Sequence, residues 1–187
     1  LQDEDVLGIV VGTRPDCIDR EKMAYLSSLS RQCHVVVEFG IESTYDATLR
    51  RVNRGHTFAQ SREAVGMAHD AGVLCGGHVI LGLPGESRQM MLDSAAMVSS
   101  LPLDFLKIHQ LQIIRGTRLA RQWENSQPEG EPAVRAMELD EYVSLLAHYI
   151  GRLRATLVLE RFVSQSPAEM VLAPHWGLKN HEFTHVL

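Results

Sequence analysis

Apolar stretches of strand length recur along the first two thirds of the chain. They are Val6-Leu7-Gly8-Ile9-Val10-Val11, His34-Val35-Val36-Val37-Glu38-Phe39, Val73-Leu74 continuing to Val79-Ile80-Leu81, and Phe105-Leu106-Lys107-Ile108. None alternates cleanly between polar and apolar positions, which predicts strands covered on both faces, as in a parallel sheet. Their starts lie roughly 30 to 40 residues apart, room for one helix in each interval. Asp19 can cap a helix through Ser30, with Met23, Leu26 and Leu29 as its apolar stripe. Thr57 can cap a second, in which Ala64, Val65, Ala68 and Ala71 share a face and Gly72 closes the end. Ser87 can open a third, with Met91, Ala95 and Val98 facing inward before Pro102. The pattern predicts an α/β fold of parallel strands with right-handed crossovers. There are too few strands to close an eight-stranded barrel, so the reading is a partial barrel or an open sheet.

The pattern changes near Glu124. Asn125 to Pro132 reads as a surface loop, and Glu138 to Arg152 as an amphipathic helix with Leu139, Val143, Leu146 and Ile150 on one side. Thr156 to Phe162 reads as one more strand, and the tail after Ser164 shows no period. Residues 1–124 are therefore expected to form the barrel portion, and 125–187 a loop, helix and C-terminal extension packed on it.

Composition narrows the class. With 187 residues, 45% hydrophobic and 22% charged, the chain has the makeup of a globular domain rather than a disordered one. No apolar run approaches the ~20 residues of a membrane helix. A net charge of −5 excludes a global basic field. The odd cysteine count, at 17, 33 and 75, excludes a simple disulfide framework. It fits a reducing, cytoplasmic setting, with all three read as small buried hydrophobes. The acidic start, Leu1 to Asp5, lacks the basic region of a secretory signal, and a chain opening on Leu1 is expected to be a piece of a longer protein.

Ligands of βα folds bind at the carboxyl ends of the strands. There the sequence places Gly12-Thr13-Arg14-Pro15-Asp16, Gly40-Ile41-Glu42-Ser43-Thr44, Gly82-Leu83-Pro84-Gly85-Glu86, and the polar set Lys107, His109, Gln110 and Gln112. Glu38 and Lys107 are charges inside otherwise apolar strands and are expected to approach each other. A buried ion pair fixing the interior and a substrate-handling role both remain open. Arg50, Arg51, Arg54 and Arg62, then Arg115, Arg118 and Arg121, form two basic clusters, read as solvated faces ahead of RNA contact. His181-Glu182-Phe183-Thr184-His185 fits a zinc pattern but stands too near the end to read as more than chance.

Four segments, Gly12-Thr13-Arg14-Pro15-Asp16, Glu38-Phe39-Gly40-Ile41-Glu42-Ser43, Val52-Asn53-Arg54-Gly55-His56 and His78-Val79-Ile80-Leu81-Gly82-Leu83-Pro84-Gly85-Glu86, fall in order on successive βα units. Together with Leu172-Ala173-Pro174-His175-Trp176, they resemble the later strands of radical S-adenosylmethionine (SAM) domains. The likeness is to YhcC-type Fe-S oxidoreductases, relatives of the Elongator catalytic subunit and of oxygen-independent coproporphyrinogen oxidase. The resemblance implies the C-terminal part of a six-stranded partial TIM barrel. It further implies a full-length parent that cleaves SAM reductively to a 5′-deoxyadenosyl radical on a [4Fe-4S] cluster. The family's Cys-x3-Cys-x2-Cys loop is absent, so this fragment is expected to hold neither group and to be inactive alone.

Carried over by position, Gly12 and Thr13 line the SAM pocket, Glu42 and Ser43 bind the ribose hydroxyls, and Arg54 pairs with the SAM carboxylate. Ile80 and Gly82 pack on adenine and Leu111 covers its other side. His78 stands, as a ribose contact, where many members have glycine or aspartate, and Glu86 lies one place past the family's usual glutamate. Glu38, Lys107 and His109 are the substrate-side candidates. Implied partners are an RNA such as tRNA or a small molecule as substrate, and flavodoxin or ferredoxin as the parent's reductant. No membrane partner is implied, and a second copy is expected to pair at the exposed sheet edge. The competing readings are a metal-independent βα-barrel lyase or isomerase using Glu38, His78, Lys107 and His109, and a non-catalytic interaction module.

Overall fold

The computed structural model describes residues 6–125 and 132–187, so the N-terminal acidic residues and most of the expected loop at 125–132 lie outside the described residues. The strands are β1 (Gly8–Thr13), β2 (His34–Glu42), β3 (Leu74–Leu81), β4 (Phe105–Gln110), β5 (Ile113–Ile114), β6 (Val158–Arg161) and β7 (Val171–Ala173). The helices are α1 (Arg20–Leu29), α2 (Asp46–Arg51), α3 (Phe58–Asp70), α4 (Arg88–Ser99), α5 (Arg118–Glu124), α6 (Leu139–Ile150) and α7 (Asn180–Thr184). One five-stranded sheet runs β1-β2-β3-β4-β6, parallel throughout, and β5 pairs antiparallel with β7.

The helix starts sit where the sequence puts them. Asp19 accepts the Lys22 N–H at 2.8 Å, and the Ser87 hydroxyl accepts the Met90 N–H at 3.2 Å. Thr57 and Gln60 form a reciprocal capping box. Period-two alternation then divides the sheet into two faces. Val35, Val37, Phe39 and Ile41 of β2 are buried in the core with Ala64, Val65 and Ala68 of α3. Glu38, Gly40 and Glu42 take the other parity and point away from those helices.

The strand expected over Thr156–Phe162 is found as Val158–Arg161, the sheet's fifth, which brings the C-terminal part into the main core. One expectation shifts. Helix α6 buries Tyr142, Leu145, Leu146 and Tyr149, a stripe rotated from the expected Leu139–Val143–Leu146–Ile150 line. The reason is the two tyrosines: Tyr142 enters the core because its hydroxyl donates to the Phe162 carbonyl at 2.6 Å. Phe183 of α7 and Trp176 pack on the Tyr142 ring, which draws the tail back onto the body. Among the described residues no helix is long and apolar enough to cross a membrane.

Candidate functional site

The face of the sheet away from the helices carries two polar layers, whose β2 members Glu42 and Glu38 are four residues apart. The upper layer begins with Glu42. A register shift between β2 and β3 falls at Gly40/Glu42, and Glu42 has φ 64°, a left-handed conformation unusual for a residue with a side chain. The Ser43 N–H donates to the Ile41 carbonyl at 2.8 Å, closing a tight turn around it. Such strain costs on the order of 1–3 kcal/mol and persists where the surroundings enforce it.

What Glu42 meets is Arg54, whose Nη2 lies 3.0 Å from its carboxylate and also donates to the Gly40 carbonyl at 3.3 Å. Arg54 is delivered by the end of α2, where Asn53 takes φ 55° and the Arg54 N–H donates to the Leu49 carbonyl at 2.9 Å. The pair crosses the strand directly over Gly40, where any Cβ would collide with both side chains. Burial pushes the Glu42 carboxyl above its usual range, with the Arg54 charge pulling the other way.

Glu42, Arg54, Ile80, Leu83 and Leu111 line one cavity of about 640 Å³, with Arg50, Arg51 and Arg118 among its other walls. The buried Nε of Arg54 has no hydrogen-bond partner among the described residues. Gly82 turns away at φ 95°, with Leu111 and Met137 packed where its side chain would stand.

The lower layer is a closed network. Glu38 accepts from Lys107 Nζ on one oxygen and lies 2.9 Å from His78 Nε2 on the other, so the expected approach of Glu38 and Lys107 is found. Glu160 stands 3.8 Å beyond Lys107. His78 stacks on His109 with ring centroids 5.4 Å apart, and His109 Nδ1 lies 2.9 Å from the Ser164 hydroxyl. Burial pushes the Glu38 carboxyl up, but the bonds from Lys107 and His78 outweigh it and hold it below the usual range. Burial, reinforced by His78, Arg161 and Lys107, lowers His109 to about 4. The imidazole is therefore neutral near pH 7, and its buried Nε2 has no hydrogen-bond partner among the described residues.

The fold thus gathers Glu42, Arg54, Ile80 and Leu111, with Gly82 beside them, while Gly12 pairs with Glu38 in register and lies at the lower layer. Thr13 is the exception. It pairs with Phe39 and shares a groove with Val11, Lys22 and Tyr25 on the α1 side, because it has the opposite strand parity from Gly12. Ser43 is buried, with its hydroxyl given to Glu86 at 2.5 Å rather than to the cavity. His78 belongs to the lower layer through Glu38. Cys17 is exposed, not a buried hydrophobe, since it lies in the short turn after β1; Cys75 is buried, and burial pushes its thiol up to about 12. Of the two arginine clusters, expected as solvated faces, Arg50, Arg51 and Arg54 of the first and Arg118 of the second line one cavity, while Arg115 and Arg121 are not among its walls and Arg62 lies on another surface beside Pro102. Helix α5, which brings Arg118, had a sequence signal in Gly116-Thr117: the Thr117 hydroxyl caps Ala120 at 3.1 Å.

The Radical SAM superfamily model matches residues 2–98, and the Radical_SAM C-terminal domain model matches residues 103–187. The chain belongs to the radical SAM superfamily. Within the superfamily it is of the YhcC type. YhcC of Escherichia coli is 31% identical over 173 residues, covering 92% of this chain and 54% of that protein. The uncharacterized YtqA of Bacillus subtilis is 30% identical over 179 residues, covering 96% and 54%. The chain therefore spans about half the length of these relatives. Among solved structures, the radical SAM fold is shared with archaeal Methanocaldococcus infernus Elp3, at a TM-score of 0.75 and 22% identity, over 89% of this chain and 38% of that one.

Proposed function

We propose that this chain is the SAM-holding, C-terminal part of a radical SAM oxidoreductase. The observation that carries the reading is the convergence of Glu42, Arg54, Ile80 and Leu111 on one cavity of about 640 Å³, a size suited to a ligand of that class. The groups present fit SAM. Arg54 brings a guanidinium to the cavity wall for a carboxylate, Glu42 is an acceptor for ribose hydroxyls, and Ile80 with Leu111 offers apolar surface to adenine. When bound, SAM supplies the adenosyl group for radical chemistry. The chain's own residues fix its orientation and exclude water from one side of it.

The cluster is different. Cys17, Cys33 and Cys75 range from exposed to buried, and among the described residues no three His, Cys, Asp or Glu side chains form a metal-holding group. The residues described do not fit a [4Fe-4S] cluster, and no step is assigned to one.

The lower layer supports a substrate-facing role for Glu38, Lys107 and His109 beneath the adenosyl site. RNA is the substrate class favoured by the arginines at the cavity, since Arg50 and Arg118 carry no ion pair among the described residues. The deciding experiment is SAM titration of the anaerobically reconstituted full-length protein, with Arg54→Ala beside it. Saturable binding lost in the variant supports the reading; no binding by the wild type, or equal binding by both, overturns it. Salt-dependent binding of a tRNA transcript, weakened by the charge swap Arg118→Glu, tests the substrate class.

A further inference from the structure

We infer that Glu86 is a positioning residue that holds Glu42 and Arg54 in register over the cavity, a proposal that rests on the SAM-binding reading and deepens it. Glu86 lies on the loop from β3 to α4, where its N–H donates to the Leu83 carbonyl at 3.1 Å. Its carboxylate reaches sideways to the neighbouring βα loop. Ser43, the residue after Glu42, donates to it at 2.5 Å, and the Thr48 hydroxyl in α2 hydrogen-bonds the same carboxylate. Both hydroxyl residues are buried, at 5% and 1% exposure, so neither has water as a ready substitute partner. The Ser43 oxygen in turn accepts the Tyr45 N–H at 3.0 Å, which extends the tie to the start of α2.

The two tethered points flank the site. Ser43 fixes the far side of the turn that holds Glu42 at φ 64°. Thr48 fixes the helix whose end delivers Arg54. One further tie crosses between the same loops, from Arg51 Nη1 to the Pro84 carbonyl at 3.1 Å. Left-handed backbone at Glu42 needs this over-determination, and a carboxylate serves because both hydroxyls donate to it at once. Among the described residues no hydrogen bond or ion pair joins Glu86 to Glu42 or Arg54, so it acts on them through Ser43 and Thr48.

The test uses the full-length protein with Glu86→Ala, Glu86→Gln and the double variant Ser43→Ala/Thr48→Ala. Isothermal titration with SAM, melting temperature, and the NMR signal of the Arg54 Nε–H without SAM are read for each. Glu86→Ala and the double variant are expected to weaken SAM by at least about tenfold and to shift the Arg54 signal. Glu86→Gln, whose amide can still engage both hydroxyls, is expected to bind within about threefold of wild type. Unchanged SAM affinity in Glu86→Ala overturns the proposal, as does a Gln variant as weak as the Ala variant at equal melting temperature. If the wild type itself fails to bind SAM, the functional reading falls, and the Arg54 signal alone then decides the role of Glu86. Should Glu86→Ala not fold, the double variant carries the same measurement.

Discussion

The two layers on the open face of the sheet use charge in opposite ways. Below, Glu38 is held by Lys107 and His78, and Glu160 adds a further negative charge, so the group largely satisfies itself. Above, the Arg54–Glu42 ion pair spans a strained turn at the cavity wall, and among the described residues the buried guanidinium Nε has no hydrogen-bond partner. A self-satisfied network specifies its own geometry; a pair with a spare buried donor is arranged for something that is brought to it.

The sharpest way to break the contrast is at Arg54. Arg54→Ala is expected to cut SAM affinity of the full-length protein by about 100-fold, because it removes the ligand's partner and strands the buried Glu42. A loss under about threefold would place the ligand elsewhere. Lys107→Met should act oppositely, leaving SAM affinity within about threefold while lowering stability by about 3 kcal/mol, since Glu38 keeps its burial without its cation. Denaturant titration against the Lys107→Met/Glu38→Gln double variant, which should recover most of the loss, checks this.

A third measurement is the pH dependence of stability. His109 is lowered to about 4 in the folded chain, against an ordinary 6.5 when unfolded. Between those values the unfolded state binds the extra proton, so stability falls as pH drops through that window and is fully present above it. The loss should be on the order of 3 kcal/mol, and His109→Gln should flatten that part of the curve. Smallest of all, Thr13→Val should leave SAM affinity unchanged within about twofold, because Thr13 faces the α1 groove. A larger effect would mean that the parity of β1 differs in the whole protein.

Much of this was legible in the sequence, for reasons that vary by residue. Asp19, Thr57 and Ser87 signalled helix starts because a side-chain oxygen at the cap has a local, sequence-near partner. Glu38 and Lys107 announced each other because a lone charge in an apolar strand is costly. Thr13 misled: Val10-Val11-Gly12-Thr13 is apolar or small at both parities, so only the pairing with β2 decides its face. Helix α2 escaped notice at six residues, too short for an apolar period to emerge. The Ser43–Glu86 bond spans 43 residues of chain, and no local pattern encodes it.

Gly40 carries a consequence for comparing genomes. The bare backbone there lets the Arg54 and Glu42 side chains meet directly over the strand. A homologue that keeps both charged letters but writes alanine or anything larger at that point must swing the guanidinium or the carboxylate aside. That one position therefore sorts sequences sharing this corner from those that merely share its spelling.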